Sequence, residues 1–240
     1  IIWIVYYSMT AGIGNRMVLL SRDENYHDFK ALTSLNNIIC IWAFGCLVFL
    51  YQPFIELWTG EQNMLPNISA FLFACYFLVT QSRKIVMLYK DAAGLWKEDQ
   101  WAPILGAAFN LIVNITLVQI IGINGVVLST ILSYLLVEMP WEIYVLYKRY
   151  FGKNVLDYIA MQFKMVCLAL PCWLVLGFIC SHIQLSAIMT LIIRGIICAA
   201  LPVPYLIFCF RKDYDLWRLV MKTLPSKFAS RFKLINKIIR

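Results

Sequence analysis

The sequence predicts an all-α fold, a polytopic bundle of transmembrane helices with about seven spans. Three observations predict it. Hydrophobic residues make up 62% of the 240 residues and charged ones 14%, with a mean hydropathy of +0.74, a composition foreign to water-soluble domains. The apolar residues gather into seven stretches, most reaching the ~20 residues that cross about 30 Å of hydrocarbon. The Lys and Arg residues, in turn, collect in alternate connections. Because lipid offers the backbone no hydrogen-bond partner, stretches of this kind are helices.

Taken in order, the first stretch, Ile1 to Leu20, opens with IIWIVYYSMTAG, without an initiator Met or a basic leader. It is therefore not a signal peptide, and the chain is expected to be a fragment. The second, Leu35 to Leu57, follows the polar run SRDENYHDFK and leads into WTGEQNML. Pro66 to Tyr89 forms the third. Pro103 to Ile121 and Asn124 to Tyr147, the fourth and fifth, are parted only by GIN, and Met165 to Ser181 and Ser186 to Phe210, the sixth and seventh, by HIQL. Pro140 in the fifth and Pro202 and Pro204 in the seventh each remove a backbone donor and permit a kink. An odd number of spans places the two ends on opposite sides of the membrane. Residues 1–210 read as the transmembrane unit and 211–240 as a basic amphipathic tail, with Phe228, Phe232, Ile235 and Ile239 at helical spacing.

Orientation follows from charge. Of the 21 Lys and Arg, all but Arg194 lie in or beside the first, third and fifth connections and the tail. The other three connections carry none, so the basic ones and the C-terminus are expected to be cytoplasmic. The net charge of +8 then needs no nucleic acid as partner; anionic membrane lipids suit it. No metal or other cofactor is expected. The eight cysteines lie inside spans without C-x-x-C spacing, and His27 and His182 fall on opposite sides. GIGN (Gly12 to Asn15) lacks the third glycine of a dinucleotide fingerprint, and the chain has no phosphate-binding G-x-x-x-x-G-K-[ST] loop. Asp213 and Asp215 are two carboxylates without the cage a metal demands. Glu56 and Glu61 read as solvated loop charges rather than a catalytic pair, so no enzyme activity is expected.

Polar groups within helices carry the functional signal, since each needs a partner away from lipid. Asn110 and Asn114 stand one turn apart on the fourth span and, with Pro103, Gly106 and Ala107, form a small and polar stripe that either glues helices together or lines a cavity. In the seventh span LIIRGII places Arg194 about 12 Å from the outer end at 1.5 Å per residue. A charge at that depth calls for a water-filled cavity or a buried acid, and Glu138 in the fifth span is the candidate partner.

The runs AGIGNRMVLLSRDENYHDFKAL, PFIELWTGEQNML and YKDAAGLWKEDQWAPILGAAFNLIVNITLVQIIGINGVVLSTILS, followed by W-x-x-x-x-LYKRYF from Trp141 to Phe151, resemble the C-terminal half of bacterial polysaccharide flippases. These are the O-antigen and capsule repeat-unit transporters of the multidrug/oligosaccharidyl-lipid/polysaccharide exporter superfamily. The resemblance covers roughly residues 10–210, and its most specific part is the turn G-L-W-x-x-D-x-W-x-P, followed by N-L-x-x-N and G-x-x-G. It implies one lobe of a two-lobed transporter, without the N-terminal lobe, alternating access to a cationic cavity in the bacterial inner membrane. The implied cargo is an undecaprenyl-pyrophosphate-linked oligosaccharide, and other polysaccharide-assembly proteins are further candidate partners. Arg194 would then offer a forked, charge-assisted contact to the diphosphate, with Asn110 and Asn114 as further cavity candidates. Two other classes stay open. A multidrug or cation antiporter of the same superfamily would want acids deep in its cavity, and a membrane-embedded polysaccharide-assembly enzyme would want a sizeable outer loop.

Overall fold

The computed structural model describes residues 2–183 and 185–223, without the side chains of 2–9, 222 and 223. The described residues form helices and no strand. Six helical segments are long and apolar enough to cross a membrane: Arg22–Thr59, Asn67–Ala92, Trp96–Ile121, Ile123–Phe151, Val155–Ser181 and Ala187–Phe210. The first expected span is also a helix, α1 (Ile2–Leu19), but it is not among the six. Ser8, Thr10, Asn15 and Arg16 dilute its apolar character, and Arg16 pairs with Asp28.

The centre of the bundle is α2 (Arg22–Thr59), whose 38 residues run about 57 Å at 1.5 Å per residue. Ser21 starts it with a capping box, accepting from Glu24 N at 3.3 Å while the Glu24 carboxylate accepts from Ser21 N at 3.1 Å. It is far longer than a bilayer core, so the polar run before Leu35 is a helical extension rather than a loop. That extension buries Asn25, Asp28, Thr33 and Ser34 against its neighbours. Around it pack α3 (Asn67–Ser82), α4 (Lys84–Ala92), α9 (Val155–Ser181), α10 (Ala187–Ala200), α11 (Pro202–Phe210) and α12 (Tyr214–Thr223). The seventh expected stretch is broken at Leu201 between α10 and α11, as Pro202 requires.

A short helix, α5 (Trp96–Asp99), leads into α6 (Trp101–Ile121), which doubles back as α7 (Ile123–Ser133). This hairpin is tight because of Gly125: a Cβ there would lie 2.4 Å from the Leu117 carbonyl carbon and oxygen. Beyond α7 the span continues through a π-helical turn (Tyr134–Glu138), α8 (Met139–Val145) and a second π-helical turn (Leu146–Phe151). The first π turn sits where Pro140 has no N–H to give; the helix widens, with Met139 N bonding Tyr134 O, and does not break. Gly152, at φ +65°, ends the span in the left-handed conformation.

Three apolar clusters hold the bundle. At its basic end, Tyr26, Phe29, Tyr89, Tyr147, Phe151 and Tyr158 form an aromatic box joining α2, α4, the second π turn and α9. Phe29 lies at its centre, 5.2 Å from both Tyr89 and Phe151 between ring centroids. Cys40, Ile41, Met165, Ala169, Leu206, Phe210 and Leu216 pack α2 against α9, α11 and α12. Near the opposite end Cys172, Leu176, Cys180 and Cys198 pack together, and all eight cysteines are free thiols. The remaining perimeter exposes Leu111, Ile112, Phe163, Leu174, Phe178 and Ile196, a surface suited to lipid.

Candidate functional site

The third span is interrupted at Arg83, between α3 and α4. The interruption is built into the packing, because the carbonyls it leaves free have partners: Asn36 Nδ2 donates to Gln81 O at 3.0 Å and Tyr158 Oη to Ser82 O at 3.4 Å. From this break the Arg83 guanidinium reaches two acids on the neighbouring span. Its Nη2 lies 2.7 Å from Glu138 Oε2 and 2.7 Å from Glu142 Oε1, and its Nε donates to Glu142 Oε2 at 3.2 Å. Glu138 and Glu142 share a face because they are four residues apart. Tyr134, a further four residues back, lays its ring under the same guanidinium at 4.4 Å and stacks on Tyr76.

The network extends through Lys90, which bridges Glu142 at 3.5 Å and Asp99. Asp99 arrives through the GLWKEDQWAP turn: Gly94, at φ +67°, reverses the chain, α5 carries the acid inward, and Trp141 Nε1 ties the turn down by donating to Glu98 O at 3.1 Å. Glu138 lies across α6 at Gly106, where a Cβ would come within 2.6 Å of its Oε1. The charges are buried, with side-chain exposures of 6% for Arg83 and 4% for Glu142. Glu138, Glu142 and Asp99 pair with Arg83 and Lys90, the buried Lys84 stands near Glu142, and Asp99 Oδ1 is buried without a hydrogen-bond partner. Charges desolvated to this degree persist because each holds the others; removing one strands its partners.

Glu138 is therefore the partner of Arg83, not of Arg194 as expected. The reason is topological: α10, which carries Arg194, packs on α2, α9 and α11, whereas Glu138 faces α3, α4 and α6. Arg194 instead donates through Nη2 to Ile183 O at 2.8 Å, just beyond the end of α9, while its Nε is buried without a partner. A cation placed there meets the negative end of the α9 dipole. One turn earlier, Thr190 Oγ1 accepts from Leu185 N at 3.1 Å and donates to Leu185 O at 3.2 Å. Arg194 and Thr190 together staple the turn between α9 and α10.

The fourth-span stripe faces α7 and the first π turn. Asn110 Nδ2 donates to Thr130 Oγ1 at 3.1 Å, and Ser133 Oγ donates to Gly106 O at 2.7 Å, so Asn110 glues helices together. Asn114 Oδ1 is buried without a partner. The stripe belongs to the α6–α7 pair and Arg194 to the α9–α10 pair, so the structure does not bring the three cavity candidates together.

A second polar assembly fastens α12. Asp213 caps it, accepting from Leu216 N at 3.0 Å and from Ser34 Oγ at 2.5 Å, and Asp215 holds Lys30 at 2.6 Å and His27 at 2.7 Å. The part of the basic tail from residue 224 onward, with its apolar repeat, lies outside the described residues.

Fold and site together define a multi-pass helical membrane protein with a buried charge network at its basic end. No family model, no curated protein and no solved structure matches the chain.

Proposed function

We propose that the protein takes part in flipping a lipid-linked oligosaccharide, an undecaprenyl-pyrophosphate-linked polysaccharide repeat unit, across a bacterial inner membrane by alternating access. The basic connections face the cytoplasm, and the Arg83 network closes that side. The observation that carries this reading is the fate of GLWKEDQWAP, the most specific piece of the flippase resemblance. Its Asp99 joins the buried network through Lys90, and its backbone is pinned by Trp141. A motif kept only for solubility or topology has no cause to hold a desolvated ion pair, whereas a gate that opens and closes does. Two π turns in the facing span, one ending at Glu138, supply helix that can re-register without breaking.

Deletion of the gene tests the reading. Loss of surface polysaccharide with accumulation of the lipid-linked repeat unit, both reversed by the wild-type gene, is expected. Unchanged surface polysaccharide and an unchanged lipid-linked pool would overturn it. A second reading, cation antiport, draws on the unpartnered Asp99 oxygen. It predicts cation sensitivity of the deletion strain with its surface glycan intact.

A further inference from the structure

At the basic end of the bundle, α2, α9 and the α11–α12 junction surround a polar cavity of about 80 Å³, whose lining includes Lys30, Ser34, Asn37, Lys164, Asp213 and Asp215. One water takes roughly 10 to 15 Å³ of such space, so about six would fill it, the bulk of one phosphoethanolamine group. The cavity lies at the level of lipid headgroups. Phe210, on its wall, is the last residue of one membrane-spanning segment, and Met161 and Met165 belong to another. Ser34 and Asn37 stand where the polar start of α2 meets the apolar stretch from Leu35.

The charges that line the cavity are only partly engaged. Asp215 holds Lys30 at 2.6 Å and His27 at 2.7 Å, whereas Asp213 is met by neutral donors, Ser34 Oγ at 2.5 Å and Leu216 N at 3.0 Å. Neither Asp213 nor the exposed Lys164 forms an ion pair among the described residues. One carboxylate and one ammonium therefore line the same cavity without an opposite charge. Asn37 supplies an independent sign of a ligand: it is 1% exposed, it lines the cavity, and its Oδ1 has no hydrogen-bond partner, a deficit that an N–H donor in the cavity removes. A simple anion would meet Asp213 and a simple cation Lys164; a ligand carrying both charges a few bonds apart suits both.

We infer that the cavity binds the phosphoethanolamine headgroup of a bilayer phospholipid, the ammonium donating to Asp213 and Asn37 and the phosphate accepting from Lys164. The level of the cavity in the membrane assigns the group to a lipid and not to soluble phosphoethanolamine. The site is independent of what the protein transports.

The test is native mass spectrometry of the full chain in mild detergent, titrated separately with phosphatidylethanolamine, phosphatidylcholine and phosphatidylglycerol of identical acyl chains. One phosphatidylethanolamine per chain is expected to survive activation that strips the other two, because phosphatidylglycerol has no ammonium and that of phosphatidylcholine has no N–H. Lys164→Met and Asp213→Asn should each lower phosphatidylethanolamine affinity roughly tenfold, the loss of about one charge-assisted hydrogen bond. Both variants should fold, since Lys164 is exposed and asparagine caps a helix as well as aspartate. Equal retention of phosphatidylethanolamine and either other lipid would overturn the headgroup assignment, and unchanged affinity in both variants would overturn the cavity as its site. A lower melting temperature of Lys164→Met with the lipid preference intact would show Lys164 pairing with Asp213 and would likewise overturn the site. Soluble O-phosphoethanolamine binding as tightly as the lipid would overturn the membrane as its source.

Discussion

Arg83 and Glu142 form a forked pair, Nη2 to Oε1 at 2.7 Å and Nε to Oε2 at 3.2 Å, with both side chains more than nine-tenths buried. The planar guanidinium matches the carboxylate bidentately, a geometry lysine lacks. Arg83→Ala strands Glu138 and Glu142 in a desolvated site and should cost about 3 to 5 kcal/mol. Thermal melting in detergent is expected to show the loss, and adding Glu138→Gln and Glu142→Gln should recover much of it. A melting curve unmoved by Arg83→Ala would contradict the burial and pairing described.

The α6–α7 hairpin depends on missing side chains. Gly125→Ala pushes a methyl group into the Leu117 backbone, which no rotamer change relieves, and a cost of about 1 to 3 kcal/mol is expected. Gly195 has open space where a Cβ would go, so Gly195→Ala in α10 should be neutral or stabilising by up to about 1 kcal/mol. Melting of the two variants side by side checks the contrast.

Arg194 acts on the end of α9. Arg194→Ala removes a charged donor to Ile183 O, and a loss of about 1.5 to 3 kcal/mol is expected. Neutralising Glu138 should not rescue it, because Glu138 belongs to Arg83. Rescue by Glu138→Gln would restore the pairing expected from sequence.

The α12 fastening is partly exposed, with Lys30 at 32% and Asp215 at 12%. Solvent screening limits Asp215→Asn to about 1 kcal/mol or less, and added salt should shrink the effect further. Limited proteolysis beyond Phe210, compared at low and high salt, reads this directly.

Sidedness separates the two ends of the bundle. In a cysteine-free background, Asn63→Cys should react with an impermeant thiol reagent from outside cells, while Lys97→Cys and Lys153→Cys stay protected until the membrane is opened. The reverse pattern would invert the orientation proposed for every span.

The helices were legible in the sequence because span length and basic connections are properties of the chain alone. Leu35 to Leu57 falls within α2, although the helical extension before it was not evident: several of its polar side chains find partners far along the chain or on another helix, Asp28 with Arg16 of α1, Tyr26 with Asp157 of α9 and Ser34 with Asp213 at the start of α12. The network was half legible. Arg83 and Lys84 lie inside the apolar stretch Pro66 to Tyr89, where a charge demands a partner, and Glu138 and Glu142 repeat at four residues; counting the basic pair as flanking charge hid the match. Arg194 misled for a different reason, since its partner is a backbone carbonyl, and no residue type announces that. The Asn110 stripe did show itself as a helix contact face, but its partner Thr130 is chosen by how closely Gly125 lets α6 and α7 approach.

The central claim, that the bundle moves a lipid-linked glycan and closes its basic side through Arg83, is tested most directly in membrane vesicles of defined orientation from host cells. The measurement is the fraction of lipid-linked repeat unit exposed on the non-cytoplasmic leaflet, read with an impermeant glycan-cleaving enzyme. Wild-type cells should show most of the pool exposed, and deletion cells almost none. Cells carrying Arg83→Gln with Glu142→Gln, at matched protein level, should fall at least about tenfold below wild type, a change of 1.4 kcal/mol or more. Exposure that is the same with and without the protein would contradict the transport reading, and full exposure in the double variant would contradict the closing role of the network.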